Sequence, residues 1–412
     1  MNKPVTQHAP AMFFPVVNNG LMIGGMPLTR LEERIGSTPF YAYDRQLITD
    51  RVAQLRAALP PEIHLHYAMK ANPMPAVVQH FAGLVDGFDV ASAGEMKVVL
   101  DTPMPPDKIS FAGPGKTESE LRRAAAAGIV VNLESEREME ILARVGAEMG
   151  LRPKAAVRVN PDFELKTAGM KMSGGPKQFG VDAERVPALL ARMKQLPLEF
   201  YGFHIFSGSQ NLRADAIMEA QRNTFELAAQ LAKHAPGPVR LLNIGGGFGI
   251  PYFPGEQRFD LQAVGDHLAG LMPQARHDFP EAEFVIELGR YLVGEAGVYV
   301  SRVIDRKESR GQVFLVTDGG LHHHLAASGN FGQVIRKNYP VVVGNRVEPE
   351  GEASVASAVG PLCTPLDVLG DKMELGHAEV GDLIVVLQSG AYGLTASPTA
   401  FLGHPAPHEV LV

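Results

Sequence analysis

The chain has 412 residues, 45% of them hydrophobic and 20% charged, with a formal net charge of −7. That length suits a large domain plus a smaller one, and the composition excludes a disordered chain. The negative balance argues against nucleic acid or an acidic membrane as a partner, and a single cysteine, Cys363, excludes an intramolecular disulfide.

Met1 to Phe14 shows no basic region followed by a sustained apolar run. No stretch approaches the roughly 18 apolar residues of a membrane span. A cytoplasmic protein is expected. Phe13–Met26 reads as strand and turn, suited to a second sheet outside the main domain.

From residue 63 onward, short apolar runs alternate with helical patterns. The runs are Ile63–Met69, Gly87–Val90, Ile109–Ala112, Ile129–Asn132, Ala155–Val159, Tyr201–Ile205, Arg240–Ile244 and Phe284–Glu287. Between them lie Ala-, Leu- and Glu-rich stretches such as Thr117–Ala127, Ser135–Met149 and Ala214–His234, with the period of amphipathic helices. Eight strand–helix units are what an α/β fold of the (β/α)8, TIM-like barrel class requires; a doubly wound sheet is the competing architecture. After Arg290 the pattern changes to strands linked by Gly/Pro turns: Val298–Ile304, Val313–Thr317, Pro340–Val343, Ser354–Val359 and Leu383–Leu387. The expected organisation is a barrel over residues 38–295, with residues 1–37 and 296–412 forming a C-terminal all-β domain of sandwich or barrel type.

In such a barrel, functional groups sit where strands end. Lys70 follows the first run, Asp89 lies in the second, Arg158 in the fifth, His204 in the sixth, and Glu287 closes the eighth. Gly245-Gly246-Gly247-Phe248-Gly249 follows the seventh. Each has a plain structural reading. Lys70 could be a snorkelling or salt-bridged lysine, His204 a satisfied core histidine, Glu287 a structural partner of Arg290, and the glycines a tight turn. Each also has a chemical reading. A desolvated lysine amine suits a Schiff base with an aldehyde cofactor, and glycines after a buried strand let backbone N–H groups approach a phosphate. Their joint occurrence at strand ends favours the chemistry.

Six segments carry a family resemblance: Tyr67-Ala68-Met69-Lys70-Ala71-Asn72, Phe88-Asp89-Val90-Ala91-Ser92, Phe203-His204-Ile205-Phe206-Ser207-Gly208-Ser209-Gln210, the glycine loop, Glu287-Leu288-Gly289-Arg290, and Gly360-Pro361-Leu362-Cys363. With them the chain resembles the fold-type III pyridoxal-5′-phosphate (PLP) decarboxylases, the family of diaminopimelate, ornithine and arginine decarboxylases. The resemblance runs from Phe40-Tyr41-Ala42-Tyr43-Asp44 to Gly390-Ala391-Tyr392-Gly393. It implies that Lys70 holds the cofactor as a Schiff base, that Glu287 faces the pyridine nitrogen and that His204 stacks on the ring. Ser207, Gly245, Gly246, Gly247, Gly249, Gly289, Arg290 and Tyr392 would surround the cofactor and its phosphate, with Asp89 and Arg158 as supporting polar groups. Cys363 has a plain reading as a small buried hydrophobe. The resemblance instead makes it the proton donor to the substrate carbon, contributed across a homodimer with shared active sites.

The departures from the family pattern concern substrate. Relatives with basic or zwitterionic substrates place an acidic residue after the cysteine, where this chain has Thr364. Diaminopimelate decarboxylases place an arginine shortly after the Asp-Gly-Gly turn; here Asp318-Gly319-Gly320 is followed by Leu321-His322-His323-His324-Leu325-Ala326-Ala327. Missing charge partners disfavour a free, doubly charged diaminopimelate. Consecutive histidines are a poor metal motif, so no metal is expected; they read as a polar loop or short helix. Thr364, Asp367, His322 and His323 are the candidate substrate contacts. Thr364, the histidines and Phe206-Ser207-Gly208-Ser209-Gln210 resemble a narrower branch, the decarboxylases associated with bacterial exosortase gene systems and enzymes acting on carrier-protein-bound aminoacyl groups. An amino-acid substrate with an amidated or thioesterified distal end, presented by an acyl carrier protein, is therefore the expectation. Diaminopimelate decarboxylation, amino-acid racemisation and non-catalytic PLP binding are the competing readings.

Overall fold

The structure is a computed structural model that describes residues 8–9, 13–333, 335–348 and 354–412. Its chain divides into two compact units, one of residues 51–250 and 259–289, the other of residues 1–50, 251–258 and 290–412.

The first unit is built on eight parallel strands: β1 (Ile63–Ala68), β2 (Gly87–Val90), β3 (Ile109–Phe111), β4 (Val130–Leu133), β5 (Lys154–Asn160), β6 (Glu199–Ile205), β7 (Leu241–Gly246) and β8 (Glu283–Leu288). Neighbours pair in sequence order, β8 pairs with β1, and β4 pairs with β5, so the sheet closes. This is a (β/α)8 barrel, with a strand at each of the eight runs read from the sequence. The strands are buried on both faces, which is why they are continuous apolar runs rather than alternating ones.

The helices between them begin where short polar residues take over the free backbone amides. Ser92 accepts from Glu95 N and Ser135 from Glu138 N, while Thr117 and Glu120 form a reciprocal capping box. Each cap lies shortly after a barrel strand, so it fixes the loop that carries functional groups at the strand's C-terminal end.

Helix Leu261–Asp278 makes one approach that only glycine tolerates. A Cβ on Gly265 would lie 1.9 Å from the carbonyl oxygen of Ala58. Gly265→Ala is therefore expected to force the backbones apart and lower stability by about 1–3 kcal/mol, read as a reduced urea midpoint. An unchanged midpoint would show that the contact is slack.

The second unit is mostly β. Its long strand Gly297–Ser309 pairs antiparallel with Gln312–Thr317, Leu383–Val386 and Phe40–Tyr43. Thus Phe40–Tyr43, on the barrel side of the sequence-based boundary at residue 38, is a strand of the β sheet. Val16–Val17, Gly20–Ile23 and Met26–Pro27 form a separate three-stranded sheet, and do not extend the larger one. Leu21 and Ile23 nevertheless pack with Phe40, Val298, Val300 and Val385 in one core. Val368–Leu375 and His408–Leu411 are strands that the pattern did not mark. Val368–Leu375 is an edge strand containing Gly370, Asp371 and Lys372, and edge strands tolerate such residues.

Candidate active site

Every barrel strand places at least one polar side chain inside the unit. His66, Asp89, Ser110, Asn132, Arg158, His204, Asn243 and Glu287 are all 6% exposed or less. Burying so many polar groups is costly unless they pair with one another or with a ligand. The register sets them side by side: His66 opposite Glu287, Asp89 opposite Ser110, and His204 opposite both Arg158 and Asn243.

Beyond Ala68 the chain tightens into a single turn, Met69–Ala71, with Met69 and Ala71 buried. Tyr67 Oη donates to Asn72 O at 3.0 Å and Asn72 Oδ1 accepts from Met74 N at 3.1 Å, fixing that turn. Lys70 at its centre projects with 43% of its side chain exposed, its Nζ 3.9 Å from Glu287 Oε1 and 5.7 Å from the Phe206 ring. The amine is therefore reachable from solvent, where the sequence pattern suggested a desolvated group. Gly289 allows the end of β8 to pass this turn, since a Cβ there would meet Ala71 Cβ at 2.9 Å.

Glu287 is the electrostatic centre of the group. His204 Nε2 is 3.1 Å from its Oε2, and Asn243 Nδ2 donates to the same oxygen at 3.5 Å. Burial alone would raise its carboxyl; the His204 imidazole beside it and the charges of Lys70 and Arg158 outweigh this and hold it down to about 2. It is an anion at any physiological pH. Asp89 lies 3.5 Å from His66 Nδ1 and accepts from Ser110 Oγ, which accepts from Asn132 Nδ2 at 3.1 Å. Arg158 Nη1 donates to Glu134 Oε1 at 2.7 Å, with its guanidinium over the Phe179 ring.

The glycine loop after β7 lies against the loop after β6. Gly247 has φ +79°, a left-handed conformation, and a Cβ there would come within 2.4 Å of Gly208 O. A Cβ on Gly246 would meet Glu287 O at 2.2 Å. Asn211 N donates to Gly247 O and Gly249 N to Asn211 O. Gln210 clamps Ile250 through both of its amide groups, and Gly245 N donates to Asn243 Oδ1 at 2.9 Å. Ser207, 9% exposed, begins the opposing loop. Bare backbone beside a buried carboxylate, an imidazole and an amine is a donor set that fits a phosphorylated pyridine aldehyde.

Within the second unit, Arg290 Nη1 donates to Tyr252 Oη at 3.0 Å, and its guanidinium lies over the rings of Tyr252 and Tyr392. Its Nε is buried without a hydrogen-bond partner. Burial would lower its pKa, but the three tyrosines Tyr252, Tyr392 and Tyr339 more than reverse that. A permanent cation with an unused donor suits a phosphate. Residues 45–294 match the family described as pyridoxal-dependent decarboxylase, pyridoxal binding domain.

The chain belongs to that family. It is 38% identical to the L-glutamyl-[BtrI acyl-carrier protein] decarboxylase of Niallia circulans, over 93% of this chain and 90% of the relative. It is 32% identical to the diaminopimelate decarboxylase of Aquifex aeolicus, over 95% and 90%. Its fold matches the crystal structure of diaminopimelate decarboxylase from M. jannaschii with a TM-score of 0.87 at 26% identity, covering 97% and 92% of the two chains. The protein is thus a PLP-dependent carboxy-lyase acting on an amino acid or an amino-acid derivative. Bound PLP supplies an electron sink for the pair left on the substrate carbon when CO₂ departs.

The candidate substrate residues lie in the second unit. Cys363 is exposed, not the buried hydrophobe of its plain reading. Thr364 is half-buried, and its Oγ1 accepts from Leu366 N at 3.3 Å. Asp367 is 3% exposed and accepts from Leu321 N at 2.6 Å and Leu362 N at 2.8 Å, tying the histidine turn to the cysteine loop. Its carboxylate is thereby committed to backbone. The histidines, expected in a polar loop or short helix, lie at a turn that is buried: His322, His323 and His324 are each 1% exposed or less. His323 uses both ring nitrogens inside the unit, Nδ1 with Tyr299 Oη at 3.2 Å and Nε2 with Pro405 O at 2.8 Å. The His322 ring lies tilted at 45° against that of His323, with ring centres 3.7 Å apart, and its nitrogens have no hydrogen-bond partner. Burial pushes His322 and His323 down to about 4 and His324 to about 3, so all three are neutral near pH 7. Among the described residues no group of three or more His, Cys, Asp or Glu could hold a metal ion. No helix among them is long and apolar enough to cross a membrane.

Sequence reasoning missed His66, Ser110, Asn132, Asn243 and Glu134. The available signal was a polar residue inside or just after an apolar strand run, at the position corresponding to Asp89 or His204.

Proposed function

We propose that this decarboxylase acts on an amino acid whose distal end is already joined to another group by an amide or a carrier-protein thioester, and not on free diaminopimelate. The observation that carries this reading is the uncharged character of the residues expected to meet that distal end. Thr364 replaces an acidic residue, Leu321–Ala327 has no arginine, and the three histidines there are neutral. A free distal carboxylate or ammonium would lose its hydration without gaining a charged partner, at a cost of several kcal/mol; a linked carbonyl would not. The relative from Niallia circulans, named for a carrier-linked glutamyl substrate, supports the same assignment.

In this reading Lys70 would hold the cofactor through its amine, Glu287 would keep a proton on the pyridine nitrogen, and His204 would pack on the ring face. Ser207, Gly245, Gly246, Gly247, Gly249, Gly289, Arg290 and Tyr392 secure the cofactor and its phosphate. Asp89 and Arg158 support the polar wall. Cys363 returns a proton to the substrate carbon, its exposure in the single chain suiting a role at the site of a second copy in a cytoplasmic homodimer.

The test is a panel of free, amidated and carrier-linked amino acids analysed by mass spectrometry for loss of CO₂. Turnover of linked substrates with free meso-diaminopimelate left largely unchanged is the expected result. Efficient turnover of the free diacid, with linked substrates ignored, would overturn the proposal.

A further inference from the structure

At the strand ends that carry the candidate cofactor residues, the barrel unit buries four charged side chains in one cluster. Lys116 and Glu138 are 3% exposed, Arg158 6% and Glu134 7%. Two cations and two anions balance, as burial at this depth demands.

Glu138 forms the base. Its Oε1 accepts from Lys116 N at 3.2 Å, and its Oε2 from Glu134 N at 2.9 Å and Lys116 Nζ at 3.1 Å. Lys116 Nζ also donates to Gly113 O at 2.7 Å and Asn132 O at 2.8 Å, so all three of its protons are used. Glu134 stands on this base. Its Oε1 accepts from Gly113 N and from Arg158 Nη1, each at 2.7 Å, and its Oε2 from Gly180 N at 2.7 Å. One carboxylate thereby joins the loop after β3, the loop after β4, the side chain on β5 and the end of the 161–180 excursion. That excursion returns to the barrel at Val181, which pairs with Val159.

A cluster with a purely structural task would serve as well beneath any loop. This one ends on Arg158, whose strand position is opposite His204, the residue 3.1 Å from Glu287. We infer that Glu134 is a positioning residue for the decarboxylation: it fixes the guanidinium of Arg158, opposite His204 in the sheet, and thereby the field at the His204–Glu287 pair and the orientation of the cofactor ring held there. The electrostatics agree. Arg158 is among the charges that lower the Glu287 carboxyl, and Arg158 and Lys116 together lower that of Glu134 against its burial. If the charge of Glu134 is removed, Arg158 becomes a buried guanidinium without its carboxylate. It then turns toward another acceptor, and the field at Glu287 changes with it.

The inference rests on family membership and the cofactor, not on which amino acid is the substrate. Its primary test therefore needs no substrate. Glu134→Gln and Glu134→Asp holoenzymes would be compared with the natural one by circular dichroism across the visible band of the bound cofactor, a signal that reports ring orientation. Thermal unfolding of the same samples separates misfolding from reorientation. The expected result is a folded Glu134→Gln variant that binds cofactor stoichiometrically but with a changed visible dichroism. With whichever substrate is turned over, kcat should fall roughly ten- to a hundredfold while KM changes little, the scale of a misplaced reacting group. Glu134→Asp, which keeps the charge on a shorter stem, should recover part of both. Unaltered dichroism and kcat in folded Glu134→Gln would overturn the inference. If Glu134→Gln does not fold, folded Glu134→Asp decides by the same signal: a shifted dichroism supports the role, and a natural one overturns it.

Discussion

Lys70→Ala is expected to abolish decarboxylation, with a loss of roughly 10⁴-fold or more, the scale seen when a covalent participant is deleted. The geometry makes this result clean to interpret. Lys70 sits on a one-turn bend whose flanking residues, Met69 and Ala71, are buried and do not change in the variant. Its own side chain is 43% exposed, and its Nζ approaches Glu287 Oε1 at 3.9 Å. The lysine end of that pair is open to solvent, which screens it, and His204 and Asn243 stay beside the buried Glu287 carboxylate, so the protein should stay folded. The loss would then be chemical. The visible absorbance of the covalently held cofactor should vanish in Lys70→Ala, while thermal unfolding of cofactor-free protein stays close to that of the natural chain. A variant that kept both its visible band and its turnover would remove Lys70 from the mechanism.

The ease with which Lys70 could be picked out contrasts with its neighbours. The barrel was legible because parallel strands covered on both faces must be continuous apolar runs, and each of the eight runs is a strand. Residues that interrupt or end such runs, Asp89, Arg158, His204 and Glu287, stood out against that background. His66, Ser110, Asn132 and Asn243 occupy the same interior but were overlooked. Histidine, serine and asparagine in a strand are cheap enough to need no explanation, and only pairing across the sheet shows that Ser110 and Asn132 lead to Asp89. Glu134 and Lys116 lie in loops, where charge is ordinary; their burial depends on contacts about 20 or more residues apart. The histidine turn shows the opposite error. Three histidines in a row read as a polar loop or short helix, yet the Asp367 carboxylate on Leu321 N and the Tyr299 hydroxyl and Pro405 carbonyl on His323 give the turn an interior setting. Local composition cannot report a partner that is distant in sequence.

Glu287→Gln tests the electrostatic centre of the barrel, and here both activity and stability should move. The substitution keeps size and burial but removes the negative charge that we propose holds a proton on the ring nitrogen. Removal of one preorganised electrostatic group of this kind lowers kcat by about 10²- to 10³-fold. The stability effect has a definite sign. The folded-state pKa of about 2 lies below the unfolded value of about 4.3, so in that window the unfolded chain binds more protons. The carboxylate's contribution is therefore fully present above about pH 5 and is lost as pH falls from there through about 2. Integrated over the shift it amounts to a few kcal/mol. Urea unfolding of cofactor-free protein at pH 7 should find Glu287→Gln less stable than the natural chain, and the gap should shrink steadily below about pH 5. Other carboxylates titrate in both proteins and cancel in the difference. A gap that stays constant with pH would mean that the anion gains nothing from His204 and Lys70. A variant with natural kcat would mean that the ring nitrogen is satisfied by another group. The two readouts separate the roles of one carboxylate, because protonating Glu287 in the absence of cofactor acts on its contacts with His204, Asn243 and Lys70 and on its attraction to Arg158, and not on the ring nitrogen.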